Sequence, residues 1–312
     1  MGCYLVTGAA GFIGAALAQR LVEDGHHVVT VDNLSSGYRE NVPTGVELVV
    51  GNCQDEGSYT QIGDKSFDAI FHIAGQSSGE ISFDDPGYDL ATNTQSTLLL
   101  LELAQQIGCD RVVFASTMSV YGFHGEAPIG EDTQCNPQSF YGVGKLASEH
   151  YLRLYGLQYG IQTTSLRLFN VYGPGQNMTN LRQGMVSIFL AQMLDTGHIL
   201  VKGSPERFRD FVYIDDVVDA FLACLARAES VGCNINIATG VRTTVGELIK
   251  QMISLYEKPV TTEFSGNTAG DIHGIYGDNS RMKEMLGFAP HVSLLDGLKQ
   301  MMDVVTKARL AQ

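Results

Sequence analysis

No stretch of this chain stays apolar over the length that a bilayer crossing needs, so a membrane-spanning helix is not expected. Cations are scarce: 20 lysines and arginines stand against 34 aspartates and glutamates, a formal net charge of −14. That balance argues against a nucleic-acid or anionic-membrane partner, although a few local arginines can still hold a small acidic ligand. The six cysteines (Cys3, Cys53, Cys109, Cys135, Cys224 and Cys233) form no CxxC and have no histidine at metal-ligand spacing. Most lie in apolar runs, as small core residues do, so no metal site is expected and a reducing cytoplasm fits. Fixed-period repeats and low-complexity tracts are absent too. The opening MGCYLVTG has neither a basic segment nor an apolar core of signal-peptide length, and Val6 stands where a myristoylation signal wants Ser or Thr. It reads as a first β-strand.

What the chain does have is glycine and alternation. Its 35 glycines among 312 residues recur where strands would meet helices, as α/β proteins require. Short β-branched runs at 3–7, 27–32, 46–50, 68–74 and 111–117 read as buried parallel strands. Helical stretches such as 12–24 and 88–107 separate them, and a long helix over about 139–159 leads into a strand at 163–169. After Pro174 the rhythm gives way to longer loops. The pattern predicts an α/β fold: a Rossmann-type doubly wound parallel sheet over 1–172 and a smaller C-terminal α/β domain over 173–312. Part of about 210–238 is expected to return to the first domain.

The stretch VTGAAGFIG (6–14) places Gly8, Gly11 and Gly14 directly after the first strand and directly before a helix. Glycines there permit a tight turn and let backbone N–H groups approach a pyrophosphate at the helix N-terminus. Asp32 ends the second strand at the spacing expected of a ribose-binding carboxylate. Its charge would repel a 2′-phosphate, so NAD is favoured over NADP.

Residues 139–149, SFYGVGKLASE, set Tyr141 four residues ahead of Lys145, on one face of a helix. FASTMSVYG (114–122) ends a strand with Ser116 and Thr117, and RLFNVYGPGQ (167–176) ends another with Asn170. Ligands of open parallel sheets bind outside the carboxyl ends of the strands, so these residues share a rim with the glycine turn.

In order and spacing, these motifs resemble the extended short-chain dehydrogenase/reductases, specifically the NAD-dependent epimerase/dehydratase family and its UDP-sugar 4-epimerases. The likeness runs from about residue 4 to about 300 and includes TGAAGFIG, DNLSSG (32–37) and FHIAGQSS (71–78). It continues through NTQSTLLLLELA (93–104), the Tyr141/Lys145 pair, RDFVYIDDVVDA (209–220) and NIATG (236–240).

The resemblance implies roles. Tyr141 would be the acid/base, Lys145 and the positive nicotinamide ring would lower its pKa, Lys145 would also hold the nicotinamide ribose, and Thr117 would bond the reacting sugar hydroxyl. Phe12 and Ile13 would lie with the glycines at the pyrophosphate, and Asp32, Asn33, Leu34, Ser35, Ser36 and Gly37 at the adenosine. Asn52 and Cys53, then Ile73, Ala74, Gly75, Gln76 and Ser77, would line the cofactor, with Asn93 and Phe169 as further contacts. Ser78, Asn170, Arg209 and Asp271 would hold the substrate together with Thr117 and Tyr141.

Three departures bear on this. Asn52 replaces the family's adenine-reading Asp. Met118 and Ser119 follow Thr117 where 4,6-dehydratases carry Asp-Glu, which removes the acid and base that eliminate water. Thr268 stands where relatives place a phosphate-binding Arg. The resemblance thus implies an NAD-dependent nucleotide-sugar 4-epimerase acting on a UDP-linked sugar through a 4-keto intermediate. The alternatives are a nucleotide-sugar 4-ketoreductase or dehydrogenase, or a non-catalytic NAD sensor, against which the Tyr-x-x-x-Lys pair tells. The resemblance also implies a homodimer built on the helices near 88–107 and 139–159, where a two-fold helix bundle would bury the apolar surplus of the run LLLLELA.

Overall fold

The computed structural model of the chain describes residues 1–63, 65–266 and 272–310. The first half alternates β1 (Cys3–Thr7), α1 (Phe12–Glu23), β2 (His27–Asp32), β3 (Val46–Val50), α2 (Glu56–Thr60) and β4 (Ala69–His72). Then come α3 (Pro86–Leu90), a π-helical turn at Ala91–Gln95, α4 (Ser96–Ile107), β5 (Arg111–Thr117), α5 (Phe140–Tyr159) and β6 (Gln162–Leu168). Next are β7 (Asn170–Tyr172), α6 (Met185–Thr196), β8 (His198–Lys202), β9 (Phe208–Arg209), β10 (Phe211–Tyr213) and α7 (Ile214–Ala226). The last are β11 (Asn234–Ile237), β12 (Thr243–Thr244), α8 (Val245–Ser254), β13 (Thr261–Ser265), α9 (Ser280–Leu286) and α10 (Leu294–Leu310).

Seven strands pair in the order β11-β6-β5-β4-β1-β2-β3, all parallel. This is the doubly wound sheet that the alternation predicts. Its strands are apolar on both faces because helices cover both. Successive residues serve opposite cores: Leu5 and Ile70 join one cluster with Leu100 and Phe114, whereas Val6 and Phe71 join the other with Leu17 and Phe221. The strand order reverses between β1 and β4, so the connections leaving their paired carboxyl ends part there and leave a crevice.

Two elements differ from their sequence expectation. The run at 68–74 leaves the sheet after His72, because the N–H groups of Ile73 and Ala74 turn to Thr7 Oγ1 (both 3.1 Å) instead of a neighbouring strand. The helix expected over 88–107 starts at Pro86, with Asp85 as its cap, and widens into the π-turn. There the hydroxyls of Thr92, Ser96 and Thr97 donate to carbonyls four residues back, which relieves a loosened ladder.

α5 is bolted to the sheet by a buried ion pair. Arg167 of β6 donates to both oxygens of Glu149, from Nε at 2.9 Å and Nη2 at 2.7 Å. Ser116 Oγ and Asn234 Nδ2 donate to the same carboxylate, so it ties α5 to β5, β6 and β11. Arg167 Nη1 passes on to Tyr121 Oη at 2.9 Å. Among the described residues, no helix is long and apolar enough to cross a membrane, and all six cysteines are free.

Removing one partner of a buried pair strands the other's charge. Glu149→Ala should therefore lower the unfolding free energy by about 3–5 kcal/mol in urea denaturation. A loss below about 1 kcal/mol, the size typical of an exposed pair, would contradict this account.

Candidate functional site

A cavity of about 390 Å³ opens at the crevice. It is lined by the β1–α1 turn, by Asp32, Asn33 and 35–37 beyond β2, by Cys53, and by 73–77 beyond β4. The turn is made possible by close approach: a Cβ on Gly14 would lie 2.1 Å from Gly8 O. α1 starts just after Gly11, which offers no side-chain cap, and has no acid in its first turn, so its N–H groups and positive dipole end face the cavity. Asp32 holds the turn from behind, accepting from Ala10 N (2.9 Å) and Leu34 N (2.8 Å), and still lines the cavity. Leu34 takes a left-handed φ of 58° to make that second bond.

Other residues named from the sequence sit elsewhere. Asn52 lies behind the cavity wall, where it accepts from Asn33 Nδ2 and donates to Asp55. Phe169 is buried beside Gly277. Ser78 is bonded to Gln76, Arg182 and Ile81. Asn170 donates twice to Asp210 O, from its main chain and its side chain. Arg209 is buried, donating to the carbonyls of Phe208, Ile272 and His273. Thr268 and Asp271 lie outside the described residues.

Sequence reasoning missed the loop after β7. Gln176, Asn177, Asn180 and Gln183 line the far wall, and Gln183 Nε2 reaches Ser77 Oγ. Four amides within eight residues were the available signal, but they carry no periodicity and lie about a hundred residues from the loop they face.

Thr117, Tyr141 and Lys145 come together at the inner end of the crevice, all buried. The glycines beside the tyrosine let α5 approach: a Cβ on Gly142 would lie 2.7 Å from Ser119 O. Tyr141 thereby faces the Thr117 hydroxyl at the end of β5. Lys145 Nζ lies 4.7 Å from the Phe114 ring centre. Burial pulls the Lys145 ammonium down to about 8, with Asp89 opposing. Burial pushes the Tyr141 phenol up to about 12; the Thr117 hydroxyl works against this and Asp89 adds to it. The lowering expected of Lys145 and the oxidised nicotinamide together has this burial to work against.

Asn93 sits beneath Gly75 and leaves its Oδ1 buried without a partner. A Cβ on Gly75, whose φ is +149°, would come 2.5 Å from that oxygen and 3.4 Å from Lys145 Nζ. A space kept free of side chain, an orphan acceptor, an ammonium and an open helix N-terminus together fit a dinucleotide. No cluster among the described residues has the makings of a metal site.

Comparison with known proteins agrees with this geometry. Residues 4–238 match the profile of the NAD dependent epimerase/dehydratase family. The chain is 38% identical over 300 residues to a UDP-glucose 4-epimerase of Mycolicibacterium smegmatis, covering 94% of this chain and 95% of that one. The fold superposes with a TM-score of 0.93 on a Thermotoga maritima UDP-glucose 4-epimerase solved with UDP-glucose, at 36% identity, over 98% of this chain and 99% of that one. A Thermus thermophilus UDP-glucose 4-epimerase complexed with NAD superposes at 0.91, with 31% identity and the same coverage.

One buried group beside the corner has a testable charge state. Thr7 Oγ1 accepts from two N–H groups, so its own proton goes to His72 Nδ1 at 2.9 Å. Thr97 and Ser96 spend their protons on the carbonyls of Asn93 and Thr92, so they accept from His72 Nε2–H. The ring is therefore neutral with its proton on Nε2, and burial, then Lys145, lowers its pKa from 6.5 to about 3. The unfolded chain protonates this histidine first, so stability falls as pH drops from 6.5 towards 3. In His72→Gln, which keeps an acceptor and a donor, the urea midpoint should fall less steeply over that window. Equal slopes would contradict the assignment.

Proposed function

We propose that this chain, which belongs to the NAD dependent epimerase/dehydratase family, is a nucleotide-sugar 4-epimerase acting on a UDP-linked hexose. The observation that carries this reading is the buried corner of Thr117, Tyr141 and Lys145, set beside a dinucleotide-shaped cleft in a chain similar over its whole length to UDP-glucose 4-epimerases. NAD, when bound, supplies the hydride acceptor and donor at carbon 4 of the sugar. Tyr141 Oη takes and returns the proton of the 4-hydroxyl, and Thr117 holds that hydroxyl in line. In the ligand-free chain the phenol is protonated at neutral pH. Cationic charge entering with the oxidised cofactor has the sign needed to lower it. Lys145 serves the cofactor ribose, with Asn93 Oδ1 as a buried acceptor nearby. Met118 and Ser119 offer no carboxyl beside Thr117, so water elimination is not supported.

We read 1–172 as the cofactor domain and 173–312 as the substrate domain, with 210–238 partly rejoining the first; the pairing of β11 with β6 supports that return. Asn170 and Arg209 are our candidates for the sugar diphosphate, Arg209 being a buried, backbone-oriented cation in an acidic chain. A homodimer is supported by Leu90 of α3 and by Val143, Tyr151 and Leu154 of α5, which leave an exposed apolar face. Light scattering at micromolar concentration should give twice the chain mass, and a monomer would count against the dimer. Free cysteines suit a reducing, cytoplasmic setting.

Purified protein given UDP-glucose, with no cofactor added, should form UDP-galactose to equilibrium by proton NMR. Conversion only with stoichiometric reduced cofactor would mark a ketoreductase instead. Tyr141→Phe should slow turnover by about 10²–10⁴ while dinucleotide affinity, read by calorimetry, is kept. Retention of more than about a tenth of the rate would remove Tyr141 as the acid/base.

A further inference from the structure

Asp89 is a carboxylate with 1% of its surface exposed, at a position that neither a motif nor the mechanism above uses. Its Oδ1 accepts from Gln76 Nε2 at 2.8 Å and from Asn93 Nδ2 at 3.2 Å. Gln76 lines the cofactor cavity, and Asn93 also donates to Gln76 O at 2.9 Å, so the carboxylate is locked to the loop after β4. Both donors are neutral amides. A buried carboxylate needs a countercharge as well as hydrogen bonds. On the other side of Asp89 stands α5, where a Cβ on Gly144 would lie 3.5 Å from Oδ2, one residue before Lys145.

Lys145 has few charged neighbours. β4 contributes His72, neutral by its hydrogen bonds, and α3 contributes Asp89. α5 itself contributes Tyr141, while β5 presents Phe114 and Thr117, which do not titrate near neutrality. Glu149, one turn along α5, is taken up by Arg167, so among these groups Asp89 is the one anion without a cation of its own.

We propose that Asp89 is a positioning residue of this site: its carboxylate, fixed by Gln76 and Asn93 against α5, is the counter-ion that keeps Lys145 cationic and Tyr141 a phenol until ligands bind. The fields support the geometry. Burial pushes the Asp89 carboxyl up, while Gln76, then Lys145 and Asn93, pull it down. Asp89 in turn raises both Lys145 and Tyr141. The arrangement stores the corner in a protonated state, so that positive charge brought by the ligand, and not the empty protein, releases the phenolate. This timing rests on the epimerase reading; the coupling between Asp89 and the pair does not.

Asp89→Asn keeps the volume and the Oδ1 acceptor and removes only the charge. The Tyr141 phenolate absorbance, isolated by difference against Tyr141→Phe in each background, should then titrate about one pH unit lower than in the parent protein. The acid limb of kcat/KM against pH should move in the same direction, which a merely structural role would not cause. An unmoved phenolate midpoint overturns the proposal. If Asp89→Asn does not fold, Lys145→Met reads the same coupling from the other end. The Asp89 carboxyl, followed by carbon-13 NMR, should then titrate higher than in the parent protein, and an unchanged midpoint likewise overturns the proposal. Moved midpoints in a protein that epimerises no nucleotide sugar would sink the functional reading and leave the Asp89 coupling standing. Fixed midpoints in an active epimerase would do the reverse.

Discussion

Burying an ammonium among apolar rings is unfavourable, and in this chain Lys145 does it with 3% of its surface exposed. Much of the surrounding structure accommodates that single charge. Phe114 gives it a ring face, Gly75 leaves it room, and Asp89 supplies the opposite sign. The neutral His72, locked between Thr7 and the Ser96 and Thr97 hydroxyls at the start of α4, adds no second cation. Without ligands the corner is held protonated, with Lys145 near 8 and Tyr141 near 12.

The sheet brings those groups to one place. β1 and β4 end in register on Thr7 and His72, β5 runs three residues past His72's partner Phe114 to Thr117, and the order reversal beside β4 opens the crevice. α5 then delivers Tyr141 and Lys145 along its buried face, fixed by Ser139 at its N-terminus and by the Glu149–Arg167 pair farther along. The Glu149–Arg167 ion pair and the Tyr141/Lys145 pair lie on the same helix, so the first anchors the element that carries the second.

Much of this was legible in the sequence, because its signals are local. Strands β1, β2, β3 and β5 match their β-branched runs end to end, and Gly8, Gly11, Gly14 and Asp32 sit where their spacing puts them. Tyr141 and Lys145 share a helix face because i and i+4 always do. What was not legible is tertiary. Nothing near Asp89 or His72 in sequence reveals that both lie within electrostatic reach of Lys145, and the amides at 176–183 reach the cavity wall only through folding. The burial that pushes the Tyr141 phenol up was not legible either: a lysine four residues away is visible in sequence, but complete desolvation is not.

The central claim, that the chain inverts carbon 4 by removing and returning the same hydrogen within one closed site, is tested most directly with UDP-glucose bearing deuterium at carbon 4. In ordinary water and with no added cofactor, the account predicts UDP-galactose that keeps the deuterium at carbon 4, with none released to solvent. Product carrying protium at that carbon, or deuterium appearing in the water, would contradict it.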